Sequence, residues 1–181
     1  MKRIILVIAA LACATAFAQW KYDSKKDAMT GSVESRATLN SANKLQLPFP
    51  YSGGSGGYLS VRPDMDTTPP GTDVMIGATK GQVLSHRDAE IKFDDEPLIQ
   101  FALIGLEGGS SNGAFLRFPG YVHDCAPDST ATPPVVCEIT SDLLVKKMKA
   151  AKKMKVQIVF YDYGPGVFEF KPQGLKWAVA Q

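Results

Sequence analysis

Histidine and cysteine are nearly missing from this chain: 181 residues hold two of the first and three of the second. So thin a supply of nitrogen and sulfur ligands argues against a tetrahedral metal site, which wants closely spaced ligand pairs. His123-Asp124-Cys125 is a local cluster, but nothing in the sequence supplies it with a second ligand pair. The expected cofactor and metal content is none. Charge of one sign is missing too, since 20 basic residues face 18 acidic ones. A chain so balanced has no global electrostatic drive toward nucleic acid or an anionic membrane. Long apolar runs are absent. Ile4 to Ala12 is an apolar stretch of nine residues, whereas a bilayer-spanning helix needs roughly 20. No Walker-type phosphate loop occurs.

That short apolar stretch has a different meaning. Lys2 and Arg3 precede it, and Ala16-Phe17-Ala18 follows with small residues at the −3 and −1 positions of a cleavage site. The pattern is that of a signal peptide over residues 1–18, with Gln19 opening a mature domain over 19–181. The expected location is periplasmic or secreted. An alternative is a lipoprotein anchored at Cys13, which follows Ala10-Leu11-Ala12, and membrane association is expected only in that case. Loss of Lys2 and Arg3 leaves the mature charge near zero, and about 160 residues suit one domain with a real core.

Two cysteines remain after cleavage, Cys125 and Cys137. In an oxidising compartment they are the expected disulfide pair. The bridge would close a Pro/Thr/Ser-rich loop and contribute on the order of 3 kcal/mol, mostly by restricting the unfolded chain.

The dominant pattern along the chain is short alternating segments separated by turn residues, which reads as β structure. Strands are expected at Ser32–Leu39, Lys44–Leu47, Tyr58–Arg62, Asp73–Ala78 and Ala89–Phe93, with a turn near Asn40-Ser41. Leu98–Ile104 should return as one strand after the Asp94-Asp95-Glu96-Pro97 turn. Ala114–Phe118 follows. Lys155–Tyr163 and Val167–Phe170 flank Gly164-Pro165-Gly166 as a hairpin, and Leu175–Val179 adds a terminal strand. Ser141–Lys153 breaks the pattern as a helix. Ser141 is its expected cap, and Asp142 lies in the first turn, where the dipole favours an acid. Leu143, Leu144, Met148, Ala151 and Met154 share one arc of that helix. Lys146, Lys149, Lys152 and Lys153 fall largely on the other and form a candidate docking face for an anionic partner. The fold class expected is mainly β, a β-sandwich or partly open antiparallel barrel with one covering α-helix.

Signals for chemistry are weak. Gly53-Gly54-Ser55-Gly56-Gly57 satisfies G-x-S-x-G, but a nucleophile elbow needs a strand before the serine and a helix after it. Here a strand follows, so a flexible loop is the simpler expectation. A serine hydrolase using Ser55 with His86 or His123 is the least favoured function, and no catalytic residues are assigned. Asp64, Asp66 and Asp73 share one loop and could bind calcium weakly, but they lack the EF-hand spacing. Gly108 to Gly113 is a second Gly/Ser loop and, like the first, a candidate binding tip. Trp20 and Trp177 stand near the two ends and should each bury a large area. Phe49, Tyr51, Phe160, Tyr161, Tyr163, Phe168 and Phe170 are divided between core packing and an exposed recognition stripe.

Several of these elements occur in an order that resembles a group of small exported proteins of proteobacteria and their prophages. They are Trp20 after the signal, Asp27-Ala28-Met29-Thr30, Pro48-Phe49-Pro50-Tyr51 followed by Gly53-Gly54, Gly81-Gln82, and Phe93-Asp94-Asp95. The Lys-rich helix, Val167-Phe168-Glu169-Phe170 and Gly174-Leu175-Lys176-Trp177 complete the set. The chain departs from the group between Gly105 and Cys137, where it is longer, and around Leu84 to Ala89, where expected cysteines are missing. A more distant similarity is to the type VI secretion accessory proteins of the TagO kind. Neither resemblance supplies catalytic residues. The function expected is therefore that of a non-catalytic envelope protein that binds another envelope protein. The alternative is an inhibitor of a lysozyme-like enzyme or a prophage superinfection-exclusion factor.

Overall fold

The computed structural model describes residues 20–26, 28–29, 31, 33–64, 71–105, 112–123 and 136–178. The expected signal peptide, Cys13, Cys125, Asp66 and most of the 108–113 loop lie outside the described residues. Among the described residues, no helix is long and apolar enough to cross a membrane.

Among the described residues, two antiparallel sheets of six strands pack face to face, with a single short helix beside them. The first sheet contains β1 (Lys21–Lys26), β2 (Val33–Leu45), β3 (Ser55–Asp64) and β4 (Gly71–Ala78) as a meander. It is completed by β7 (Leu103–Gly105) and β8 (Gly113–Leu116), in the order β1-β2-β3-β4-β8-β7. The second holds β5 (Ala89–Phe93), β6 (Ile99–Phe101), β9 (Gly120–His123), β10 (Val136–Ile139), β11 (Met154–Phe160) and β12 (Gly164–Phe170). Its order is β10-β9-β6-β5-β11-β12. The sheets do not close, so the fold is a sandwich rather than a barrel.

Alternation dictates the core. Ala37, Leu39, Leu59, Val61, Val74 and Ile76 point inward from the first sheet, and all are fully buried. Ile91, Phe93, Phe101, Val156, Ile158, Phe168 and Phe170 meet them from the second. Gly57 is required by close approach, because a Cβ there would stand 2.4 Å from the Phe168 ring.

Several sequence expectations are corrected. Leu98–Ile104 is not one strand of one sheet. The chain crosses at Ala102 from β6 in the second sheet to β7 in the first, and the Arg117 amide donates to the Ala102 carbonyl at the same corner. Phe101 packs edge-on against Phe118 there at 5.5 Å between centroids. Gly120 makes room, since a Cβ would lie 2.2 Å from the Phe101 ring. Such sheet-switching corners let one strand pair serve both layers. Asn40-Ser41 is no turn either: β2 runs through it with a register shift between Asn40 and Lys44. Leu175–Val179 forms no strand over its described residues. The β11–β12 turn is Tyr161–Tyr163, with Asp162 at φ 58° and Gly164 at φ 85°, conformations these residue types tolerate. Gly164-Pro165-Gly166 belongs to β12, an edge strand, where a proline is admissible.

The irregularity in β2 has a purpose. Asn43 turns its side chain toward β12, donating to the Val167 carbonyl at 2.9 Å and accepting from the Glu169 amide at 2.8 Å. The free edge of the second sheet is thereby tied to the first.

The helix α1 runs from Ser141 to Ala150 and is capped by Thr140, not Ser141, whose side chain accepts from the Leu143 amide at 3.3 Å. It buries Leu144, Val145 and Met148 and packs beside β4. Leu143 is exposed and Val145 takes its place in the core, because the buried arc is one position further round than the alternation of lysines suggests.

Candidate functional site

The first and last described segments of the fold meet. Trp20 is buried, and its indole donates to the Pro172 carbonyl at 2.8 Å. Tyr22 on β1 donates its hydroxyl to the Gly174 carbonyl and accepts from the Lys176 amide at 2.7 Å. Trp177 is half-buried, with its indole 3.4 Å from the Thr72 hydroxyl, and Lys149 of α1 donates to the Trp177 carbonyl. The segment 171–178 has no regular structure, yet side chains of β1, β4 and α1 hold it. Both tryptophans thus anchor the ends, as their size suggests.

Where this tail passes under the β1–β2 hairpin, a groove of about 520 Å³ remains. Its walls are Tyr22, Ser24 and Asp23 of β1, Ser35 and Arg36 of β2, Pro63 of β3, and Lys176 and Trp177 of the tail. That volume is within the range of small-ligand sites, roughly 300–1,000 Å³. Two aromatic residues and a proline line it beside arginine, lysine, aspartate and serine residues. The groove exists because β1 and the start of β2 extend past the second sheet: every residue of β1 is exposed, as are Val33, Glu34 and Ser35. Arg36 is held by Glu34 at 3.3 Å. Sequence reading missed this place because its walls come from the two ends of the described fold, Tyr22 on one side and Lys176, 154 positions later, on the other.

On the outer face of the first sheet, register lines up Thr38, Ser60, Met75, Phe115 and Ile104 across five strands. Arg62 lies over the Phe115 ring at 4.4 Å and bonds Asp73 at 3.1 Å. Tyr58 covers Gly77, where a Cβ would be 2.3 Å from its ring. Burial pushes the Tyr58 phenol above its ordinary value, and the Arg36 guanidinium pulls it back in part. Ser60 is buried with its hydroxyl unpartnered.

The residues singled out from sequence fall as follows. Lys146, Lys149, Lys152 and Lys153 are all exposed near one end of α1. They do not stand as a purely basic face. The Asp94 carboxylate accepts from the backbone amides of Lys152 and Lys153 at 3.2 and 2.9 Å, and neighbouring Glu96 pairs with Lys147. Ser55 is no loop tip: it is fully buried in β3, donating to the Lys80 carbonyl at 2.8 Å and accepting from the Lys80 amide at 3.1 Å. His86 and Asp88 are exposed in a separate turn, and the side chain of His123 lies outside the described residues. The loop before Ser55 is pinned, with the Lys80 ammonium bonded to the Ser52 and Gly53 carbonyls. Asp73 is engaged by Arg62, and among the described residues no group of three potential metal ligands gathers. Phe160, Phe168 and Phe170 are core, whereas Phe49, Tyr51, Tyr161 and Tyr163 are exposed. Cys137 on β10 is not a free thiol.

No family model, no curated protein and no solved structure matches this chain.

Proposed function

We propose that this chain is an exported, non-catalytic binding module of the cell envelope, and that it receives its partner in the groove between the β1–β2 hairpin and the C-terminal tail. The observation that carries the reading is the groove itself: an open concavity of about 520 Å³ whose lining residues include both aromatic and charged ones. Aromatic and arginine side chains are the residues that concentrate binding energy at interfaces. The signal-like residues 1–18, cleaved after Ala18, supply the route out of the cytoplasm, and Cys125 and Cys137 pair in the oxidising compartment beyond. Lys146, Lys149, Lys152 and Lys153 play the smaller part, because the Asp94 and Glu96 side chains beside the end of α1 reduce the local charge.

The test is affinity capture from native envelope extract with three forms of the mature domain. One is unchanged, one carries Arg36→Glu with Lys176→Glu, and one carries Lys146, Lys149, Lys152 and Lys153 changed to Gln. A specific partner retained by the helix variant and lost by the groove variant is the expected result. Loss with the helix variant alone would move the site to α1. Recovery of no specific partner by any form would overturn the reading.

A further inference from the structure

Four strands end the two sheets, and they are not equally exposed. β12 is tied to β2 through Asn43. β7 is three residues long and β10 four. β1 is six residues long, terminates the first sheet, and is exposed at every position. An edge of this kind presents a row of main-chain donors and acceptors to any extended chain that approaches, over about 20 Å at the usual rise per residue.

Its charges decide which chain may approach. Lys21, Lys25 and Lys26 of β1 and Lys176 of the tail are four cations around this edge, against the carboxylate of Asp23. Glu34 is already engaged by Arg36 at 3.3 Å and approached by Arg62 at 4.0 Å. Centred antiparallel pairing of two copies of β1 would set Lys21 against Lys26, so the strand repels its own kind. An acidic strand meets the opposite situation. The same lysines that guard the edge against self-association select for a complementary partner. Below the edge, the groove offers room for the inward-pointing residues of an added strand, with Tyr22 and Trp177 as apolar surface.

We infer that β1 is a strand-addition site for an acidic, extended peptide segment of the partner, which would extend the first sheet by one strand and place alternate side chains in the groove. Main-chain bonds would supply affinity and the groove specificity, as in other β-augmentation interfaces. This inference rests on the binding-module reading and goes further by naming the partner's chemistry.

The probe is a capped ten-residue peptide of alternating glutamate and valine. Its controls are the lysine–valine counterpart, the same acidic peptide N-methylated at alternate amides, and a sulfated polysaccharide. Binding to the mature domain is read by anisotropy, and amide exchange is followed at residues 21–26. The acidic peptide is expected to bind and to slow exchange at β1. N-methylation or Lys21, Lys25 and Lys26→Glu should each weaken it about tenfold or more, while the four-lysine helix variant should leave it unchanged. Equal binding of the N-methylated peptide, or of the polysaccharide with no protection at β1, would reduce the interaction to plain electrostatics and overturn the inference. So would absence of binding at millimolar peptide. If the peptide fails while envelope capture still yields a groove-dependent partner, strand addition falls and the binding module stands.

Discussion

Replacing Asn43 by alanine removes a side chain that ties the edge of the second sheet to the first by two hydrogen bonds. Two hydrogen bonds go, to the Val167 carbonyl at 2.9 Å and from the Glu169 amide at 2.8 Å. A typical intramolecular hydrogen bond contributes about 1 kcal/mol net. Asn43 is half-buried, so water can satisfy part of what is lost. The expected destabilisation is about 1–2 kcal/mol, or a Tm lower by roughly 2–8 °C in a domain of this size. Asn43→Asp separates the two bonds. It keeps an acceptor for the Glu169 amide but turns the contact with the Val167 carbonyl into a repulsion, so it should be at least as damaging as alanine. Urea unfolding of the mature domain gives the free energy, and amide exchange at Glu169 reports the site directly. A change below about 0.3 kcal/mol, with exchange at Glu169 unaltered, would refute the claim that Asn43 holds the edge; that threshold is the noise between independent sites.

Three further outcomes are expected. The Tyr58 phenol is raised by burial. Its contribution to stability is therefore complete below the unfolded value near 10 and is lost as pH climbs through the higher folded value. Tyr58→Phe should flatten that alkaline loss in pH-dependent urea titrations, and an unchanged slope would show that other groups cause it. Ser60→Ala removes a buried hydroxyl that has no partner, so stability should hold or rise by up to about 1 kcal/mol; a loss above that would mean the hydroxyl is bonded in solution. Gly120→Ala forces a Cβ to within 2.2 Å of the Phe101 ring at the sheet-switching corner. It should cost roughly 1–3 kcal/mol, checked by thermal melting, and near-wild-type stability would mean the corner is softer than its packing suggests.

The sandwich was legible where one face of a strand is buried. Ala89–Phe93 and the β11–β12 pair alternate cleanly because one side meets the core and the other water. β1 was illegible for the opposite reason: Lys21–Lys26 is exposed on both faces, so no period marks it. The crossing at Ala102 was hidden because an apolar run looks the same whether it stays in one layer or passes between two. Asn43 left no signal either, since its role depends on a strand 124 positions away. The lysines of α1 could be placed on the surface from sequence, but their acidic neighbours could not. Asp94 and Glu96 come alongside only when β5 pairs with β11. The groove was beyond reach for the same reason, being assembled from residues that are strangers along the chain.

The bond between Trp20 and Pro172 has a consequence in time. The first described residue of the fold waits for a carbonyl 152 positions later. β5 likewise waits for β11, and β4 for β8. The β1–β4 meander can pair from the early half of the chain, but its inner face has no layer to bury against until the second sheet is made, and contacts of such long range make folding slow. A polypeptide built this way, delivered N-terminus first from a ribosome or through a narrow passage, carries that meander with its apolar face uncovered until the strands of the second sheet emerge.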